Sequence, residues 1–322
     1  FGFIRVIILF LFINYFFQKK NFFNKVFMSW FLILIMATFD IFLEAYTGKN
    51  ILGYGSGEPG SRVVSFFKNE EIIGGYLGGF FLIIVGFFLD KYGLYKKNLI
   101  FLIALVFLLA IFVTGERANS IRAFLSITLL FLFLKDFDLK KKINFIIIFL
   151  ISISILITNS NYLKLRFVKQ IKPALSTTGN DYFDLYKSGY TVFKNHPIFG
   201  VGNKNYRFVT CDRPSEEERK NNLNIYCSTH PHQIYFEFLS EHGLFGTIIM
   251  MFLFYKIIFS RWKILVSNFK YLTLCSYIYL LMVFLPLIPS GAFFGDYLLT
   301  IFAINLSILY ASNTKLNIFH NA

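Results

Sequence analysis

Long apolar stretches, set apart by short polar segments, decide what this chain can fold into. They fall at 3–17, 26–45, 72–89, 98–113, 120–134, 143–157, 234–259, 271–287 and 297–311. A helix of about 17–25 apolar residues crosses a bilayer. The pattern therefore predicts an all-α fold: a polytopic integral membrane helical bundle of about nine transmembrane helices, some near the short limit for a span. Composition agrees. The 322 residues are 56% hydrophobic and 16% charged, with 44 phenylalanines. Soluble domains sit near half apolar and about a quarter charged. Phe1 lies inside an apolar run, so the chain reads as a fragment that has lost one or more N-terminal spans. The run 1–17 lacks a small-residue cleavage site, which argues against a cleavable signal peptide.

The net charge of +14 points away from nucleic acid once its placement is considered. Lysines and arginines cluster in four short connections: Lys19, Lys20 and Lys25; Lys91, Lys96 and Lys97; Lys135, Lys140, Lys141 and Lys142; Arg261, Lys263 and Lys270. By the positive-inside rule these connections are cytoplasmic. The segments 47–71, 114–119, 158–233 and 288–296 are then periplasmic or extracellular. Three regions follow: N-terminal transmembrane helices (1–157), one long periplasmic loop (158–233) and C-terminal transmembrane helices (234–322). A loop that long is usually functional or disordered. Its aromatic residues, Gly200, Gly202 and two cysteines favour order. Cys211 and Cys227 lie outside the cytoplasm on this topology, where a disulfide is natural; the alternative is two unrelated thiols. Cys275 sits in an apolar stretch and reads as a packing residue.

The most polar entry to any apolar stretch is His230-Pro231-His232-Gln233-Ile234-Tyr235-Phe236-Glu237-Phe238-Leu239-Ser240-Glu241-His242-Gly243-Leu244-Phe245-Gly246. Polar residues at the mouth of a membrane helix are costly and usually functional. His232 stands near the helix start, and Gln233, Glu237 and Glu241 recur every four residues on one face. A carboxylate there would orient an imidazole and raise its basicity. The plainer alternative is that His232 only caps the helix. His230 and His232 are two apart, but spacing supplies no third ligand, so neither a metal nor another cofactor is expected. In the turn Thr114-Gly115-Glu116-Arg117-Ala118-Asn119-Ser120-Ile121-Arg122, Arg117 reaches the membrane surface. Arg122 lies about 7 Å further along the next helix. Guanidinium forks match phosphate oxygens; the alternatives are a snorkelling residue, a pair with Glu116, or a buried structural ion pair at Arg122. Arg62 is a third outer cation, bound to ligand or simply solvated. Gly74, Gly75, Gly78 and Gly79 suit close helix packing. The stretch Phe199-Gly200-Val201-Gly202-Asn203-Lys204-Asn205-Tyr206-Arg207 is glycine-bearing and basic. It lacks the strand–loop–helix setting of a nucleotide motif, so nucleotide binding is not expected.

Together these residues resemble the O-antigen ligase and O-antigen polymerase superfamily. The resemblance rests on His232-Gln233 followed by nine residues and Gly243-Leu244-Phe245-Gly246, on Thr114-Gly115-Glu116-Arg117-Ala118, and on His196-Pro197-Ile198-Phe199-Gly200-Val201-Gly202. It also draws on Ser65-Phe66-Phe67-Lys68-Asn69-Glu70 and on Pro286-Leu287-Ile288-Pro289-Ser290-Gly291-Ala292-Phe293-Phe294. It implies a GT-C-like, metal-independent glycosyltransferase of the bacterial inner membrane. Such an enzyme takes a glycan from undecaprenyl diphosphate and passes it to a hydroxyl at the periplasmic face. Carried over by position, Arg117 binds the diphosphate and His232 acts at the acceptor hydroxyl. An arginine expected before the Pro-x-x-Gly-x-Gly segment is missing from Asn180-Asp181-Tyr182-Phe183-Asp184-Leu185-Tyr186, which leaves Arg166, Arg207 and Arg213 as candidates for a second loop cation.

The expected function is therefore glycan transfer of the ligase type, with lipid A–core as acceptor and membrane lipid as surroundings. The expected catalytic set is His232, Glu237 and Glu241, and the expected diphosphate set is Arg117, Arg122, Arg62 and Arg207. A glycan repeat unit or a protein hydroxyl are alternative acceptors within the family. A polysaccharide transporter or flippase is the alternative from another class, and it predicts broken helices in paired inverted halves.

Overall fold

The computed structural model describes residues 2–55, 60–68, 70–134, 138–170, 181–212, 225–267 and 269–319. Every regular element among them is helical. The helices are α1 (Gly2–Phe16), α2 (Lys20–Thr47), α3 (Ile73–Tyr92), α4 (Lys97–Val113), α5 (Arg117–Phe133), α6 (Leu139–Asn159), α7 (Asn161–Lys164), α8 (Asp181–Asn195), α9 (Ile234–Ile257), α10 (Trp262–Ser267), α11 (Tyr271–Val283) and α12 (Asp296–Ala311). The chain forms two compact units. The first is Phe1–Ile171 with Ile264–Met282 and Ile301–Ala322; the second is Lys172–Lys263 with Val283–Thr300.

Four helical stretches are long and apolar enough to cross a membrane: Asn21–Thr47, Ile73–Tyr92, Leu139–Asn159 and Ile234–Leu265. The apolar helices Phe3–Phe16, Lys97–Val113, Tyr271–Val283 and Asp296–Ala311 are shorter. The protein is a helical membrane protein.

In the first unit, α3 is the central helix. Leu77, Leu82, Ile83 and Ile84 are fully enclosed. Rings of α2 interleave with rings of α3: Trp30 with Phe80 at 5.1 Å, Phe27 with Phe87 at 4.8 Å and Phe31 with Phe88 at 5.0 Å. Close approach elsewhere depends on glycine. A Cβ at Gly86 would come within 2.8 Å of Leu272 Cα, and one at Gly79 within 2.4 Å of Ile301 Cγ2. Gly78, of the same glycine run, faces open space and has no such role. By contrast α6 leaves much of its apolar surface exposed, as a lipid-facing helix does.

Two acids inside α2 secure the segment that follows it. Asp40 and Glu44, one turn apart, are buried in an otherwise apolar run. Glu44 accepts from the amides of Val64 (3.0 Å) and Ser65 (2.6 Å). Asp40 accepts from the Ser65 hydroxyl and from the Ile51 amide at 2.8 Å. The carbonyl of Ser65, whose φ is +48°, is held by Asn50. Buried carboxylates matched to amide and hydroxyl donors fix a backbone conformation that a β-carbon disfavours.

In the second unit, α8 lies against the first part of α9. Gly189 permits this, since a Cβ there would meet Pro231 Cβ at 2.8 Å. Tyr186 stacks on Phe236 at 5.6 Å. Cys211 and Cys227 form a disulfide. The hydroxyl of the enclosed Tyr206 donates to Ser188 Oγ at 2.7 Å, and burial pushes its phenol up to about 12.

The sequence reading of 234–259 as one uninterrupted apolar helix needs correction. At Gly243, φ is +62° and ψ −171°, and the helix breaks. The rings of Phe238 and Phe254 are 6.0 Å apart, whereas a straight helix would separate these residues by about 24 Å. The two arms therefore fold back toward each other. Length and apolar content alone make this stretch look like one span; the backbone at Gly243 does not allow a straight one.

Candidate functional site

The break at Gly243 is built by a loop from earlier in the chain. A broken helix leaves carbonyls without partners on one side and amides on the other. Here the amides of Val201 and Gly202 donate to the carbonyls of Ser240 (3.0 Å) and Glu241 (2.8 Å). The carbonyls of Pro197 and Ile198 accept from the amides of Leu244 (2.8 Å) and Phe245 (3.2 Å). A Cβ on Gly243 would sit 2.3 Å from the Ile198 oxygen, and one on Gly200 would sit 2.4 Å from the Glu241 carbonyl carbon. The Pro-x-x-Gly-x-Gly segment is thus a plug for the broken helix. Its amides form a nest, and the nest is filled by the helix end and by the Glu241 carboxylate, which accepts from the Lys204 amide at 2.8 Å.

The histidine pair stands at the other end of the first arm, about 16 Å along the helix from the break. Gln233, not His232, caps α9: its side-chain oxygen accepts from the amides of Tyr235 (2.8 Å) and Phe236 (3.1 Å). His232 lies just outside the helix with φ +55°. A left-handed conformation costs a non-glycine residue about 1–2 kcal/mol. It is held by the Ser290 amide, which donates to the His232 carbonyl at 2.8 Å. The ring of His232 is 4.0 Å from that of His230 and 6.0 Å from that of Tyr182. His230 has both nitrogens engaged, Nε2 with the Ser290 carbonyl at 3.3 Å and Nδ1 with the Thr229 hydroxyl at 2.9 Å. A carbonyl only accepts, so Nε2 carries the proton and Nδ1 accepts. Burial first, and the neighbouring His232 second, lower the His230 pKa to about 4, against the opposing bond to Ser290. His230 is therefore a neutral, fixed imidazole near pH 7.

Glu237 and Glu241 lie on the same buried face as Gln233. Their carboxylates hold backbone. Both oxygens of Glu237 accept from the Phe293 amide, at 2.9 and 3.0 Å, and Glu241 holds the 200–204 loop. The chemistry seen for these two acids is anchoring. Arg207 is exposed in the same unit, its guanidinium 4.6 Å from the Phe208 ring centroid.

The first unit carries the other cations. Glu116 is buried and caps α3, accepting from the amides of Gly74 (2.6 Å) and Gly75 (3.2 Å) and from the Asn119 amide group. Burial raises its pKa against these hydrogen bonds and the nearby Arg62. A Cβ on Gly74 would come within 2.8 Å of the Glu116 carboxyl carbon, so the glycine makes room for the acid. Glu116 thereby fixes the turn that carries Arg117. The Arg117 Nη2 donates to the Arg166 carbonyl (2.7 Å) and to Gln170 Oε1 (3.2 Å). Arg166 donates to the Gly115 carbonyl (2.9 Å) and to the same Gln170 oxygen (2.9 Å). Two guanidinium groups thus converge on one acceptor oxygen. Arg62 pairs with Glu71 at 3.3 Å, and Arg122 reaches Asn119 at 3.4 Å. Of the candidates for a second loop cation, Arg166 joins Arg117, Arg207 lies in the second unit, and Arg213 lies outside the described residues. Among the described residues no group of three or more His, Cys, Asp or Glu side chains is placed to hold a metal ion.

Three contributors are not apparent from local sequence: Gln170, Ser290 and the Asp40–Glu44 pair. Only the last left a trace there, two acids one turn apart within an apolar stretch.

The chain is a helical membrane protein whose first unit draws two arginines onto one acceptor oxygen and whose second unit carries a histidine of positive φ just before α9. Residues 99–251, a little under half of the chain, match the family model described as O-Antigen ligase, and this stretch is similar to the O-antigen ligase-like superfamily. No curated protein and no solved structure matches the chain. Members of this family are glycosyltransferase-like enzymes that act on lipid-linked glycans and their acceptors.

Proposed function

We propose that the protein transfers a glycan from undecaprenyl diphosphate to a hydroxyl acceptor at the periplasmic face of the inner membrane, as an O-antigen ligase acting on lipid A–core. The observation that carries this reading is the convergence of Arg117 and Arg166 on one Gln170 oxygen. That oxygen occupies the kind of position a diphosphate oxygen takes, an acceptor shared by two guanidinium forks. Charge builds on the leaving diphosphate as the glycosidic bond breaks, and fixed cations favour that state over the ground state. Arg62 and Arg122, in the same unit, supply further positive charge to the donor.

At the acceptor, His232 takes the hydroxyl proton as the oxygen attacks. His230 is neutral with both nitrogens engaged, so it serves as packing partner and leaves the base role to His232. Glu237 and Glu241 position the histidine segment by tying down the loops around it. One displacement without a covalent enzyme intermediate inverts the anomeric configuration, and neither a metal nor another cofactor enters the scheme. In this reading the shorter apolar helices and α5 also cross the bilayer, giving about nine spans in a GT-C-like arrangement.

A transporter also uses broken helices. At Gly243, however, the freed backbone groups are bonded to residues 197–202, whereas a transporter leaves such groups to its ion or substrate. The test is mass analysis of lipid-linked glycan and lipopolysaccharide from cells with and without the protein. Loss of long-chain lipopolysaccharide with accumulated lipid-linked polymer supports the ligase reading. Accumulated single repeat units overturn it in favour of a polymerase, and unchanged lipopolysaccharide with altered glycoprotein in favour of transfer to protein.

A further inference from the structure

The turn that plugs the broken helix exposes its apolar residues. Ile198 is 62% and Phe199 71% exposed, although neither is on a membrane helix. They lie against the start of the second arm of α9. Phe199 and Phe245 have ring centroids 5.9 Å apart, and Leu244 and Phe245 are themselves 53% and 59% exposed. The apolar face runs on down the arm through Ile248, Phe252 and Leu253, which are also exposed. A patch of this kind marks an interaction surface.

Two further observations say what covers it. Irregular backbone enters hydrocarbon only when its polar groups are bonded internally. In the 197–202 segment the carbonyls of Pro197 and Ile198 accept from Leu244 and Phe245, the Gly200 amide donates to the His196 carbonyl, and the amides of Val201 and Gly202 donate to the first arm. The amides of Ile198 and Phe199 have no such partner among the described residues, which keeps the backbone of the turn at head-group level and sends only its side chains deeper. The surroundings of the turn are also basic. Lys194, Lys204 and Arg207 are exposed on either side of it, and the chain from Lys187 to Arg207 contains no Asp or Glu. Apolar side chains at a tip rimmed by cations fit a bilayer surface with anionic head groups.

We propose that Ile198 and Phe199 form a membrane-inserting tip, which sinks into phospholipid acyl chains beside Leu244 and Phe245 while the basic rim meets the head groups. This makes the plug of the broken helix a depth anchor for the histidine-bearing unit. It holds whichever glycan or acceptor the protein uses.

The test uses the full chain in nanodiscs of phosphatidylethanolamine and phosphatidylglycerol, with an environment-sensitive nitrobenzoxadiazole probe on Phe199→Cys, Ile248→Cys or Lys187→Cys. The native cysteines do not interfere, since Cys211 and Cys227 are bonded to each other and Cys275 is buried. Ile248→Cys is the helix-face reference and Lys187→Cys the aqueous one. The expected result at 199 is blue-shifted emission, at least twofold quenching by doxyl-acyl phospholipid and resistance to aqueous iodide, matching 248 and opposite to 187. Iodide quenching at 199 without doxyl quenching would overturn the proposal. So would shielding from both quenchers, which would mean that protein, such as a second copy of the chain, covers the tip.

Discussion

His230 shows how a single side chain is tuned by its neighbours. Its folded pKa, near 4, lies below the ordinary histidine value of 6.5. A depressed histidine favours the folded state in its neutral form. The stabilisation is therefore complete above about pH 6.5 and is lost as pH falls toward 4, on the order of 3 kcal/mol in total. Nitrogen NMR of histidine-labelled protein should show one ring that stays neutral, protonated at Nε2, down to about pH 4; a His230 that titrates near 6.5 would refute the assignment. Glu237 gives a second residue-level prediction. Glu237→Leu leaves the buried Phe293 amide without its acceptor and should cost about 1–3 kcal/mol. Glu237→Gln keeps an acceptor oxygen and should lose less, as read by thermal unfolding in detergent.

Among the elements, α9 depends most on one residue. Gly243→Ala places a side chain at positive φ and drives its Cβ into the Ile198 carbonyl, so it should destabilise the fold by about 2 kcal/mol or more. Gly78→Ala, in open space within α3, should be neutral or slightly stabilising. Equal unfolding temperatures for the two variants would contradict the plugged break. This break also marks where sequence reasoning stops. Stretches 26–45, 72–89 and 143–157 announced α2, α3 and α6, because lipid or core on every side demands a continuous apolar run. The run 234–259 looks the same, yet it folds back on itself, because the cause is a loop some forty residues upstream. The partners of Glu237 and Glu241 were hidden for the same reason: Phe293 and Lys204 are remote in sequence. Spacing placed the two acids on one face, but could not say that the face would meet backbone amides.

At the scale of the whole molecule, the apolar content made a helical membrane protein legible, and short motifs in order made legible the family resemblance that residues 99–251 carry. The arginine cluster was only half legible. Arg117 stands out in its turn, whereas Arg166 and Gln170 reach it from about fifty residues away, and no local pattern signals that approach. Arg166→Ala should raise the donor concentration needed for half-maximal transfer several-fold, with protein level unchanged, while Arg166→Lys should recover only part of the loss because it lacks the fork. The central claim is that an arginine at the turn binds the lipid diphosphate and a histidine before α9 activates the acceptor. Its most direct test is glycan transfer from a lipid-diphosphate donor to lipid A–core by purified protein in nanodiscs, with wild type, Arg117→Ala and His232→Ala side by side. The account predicts at least a hundredfold loss in both variants at equal folded protein, with donor affinity falling in Arg117→Ala and preserved in His232→Ala. Transfer near the wild-type rate in either variant would contradict it.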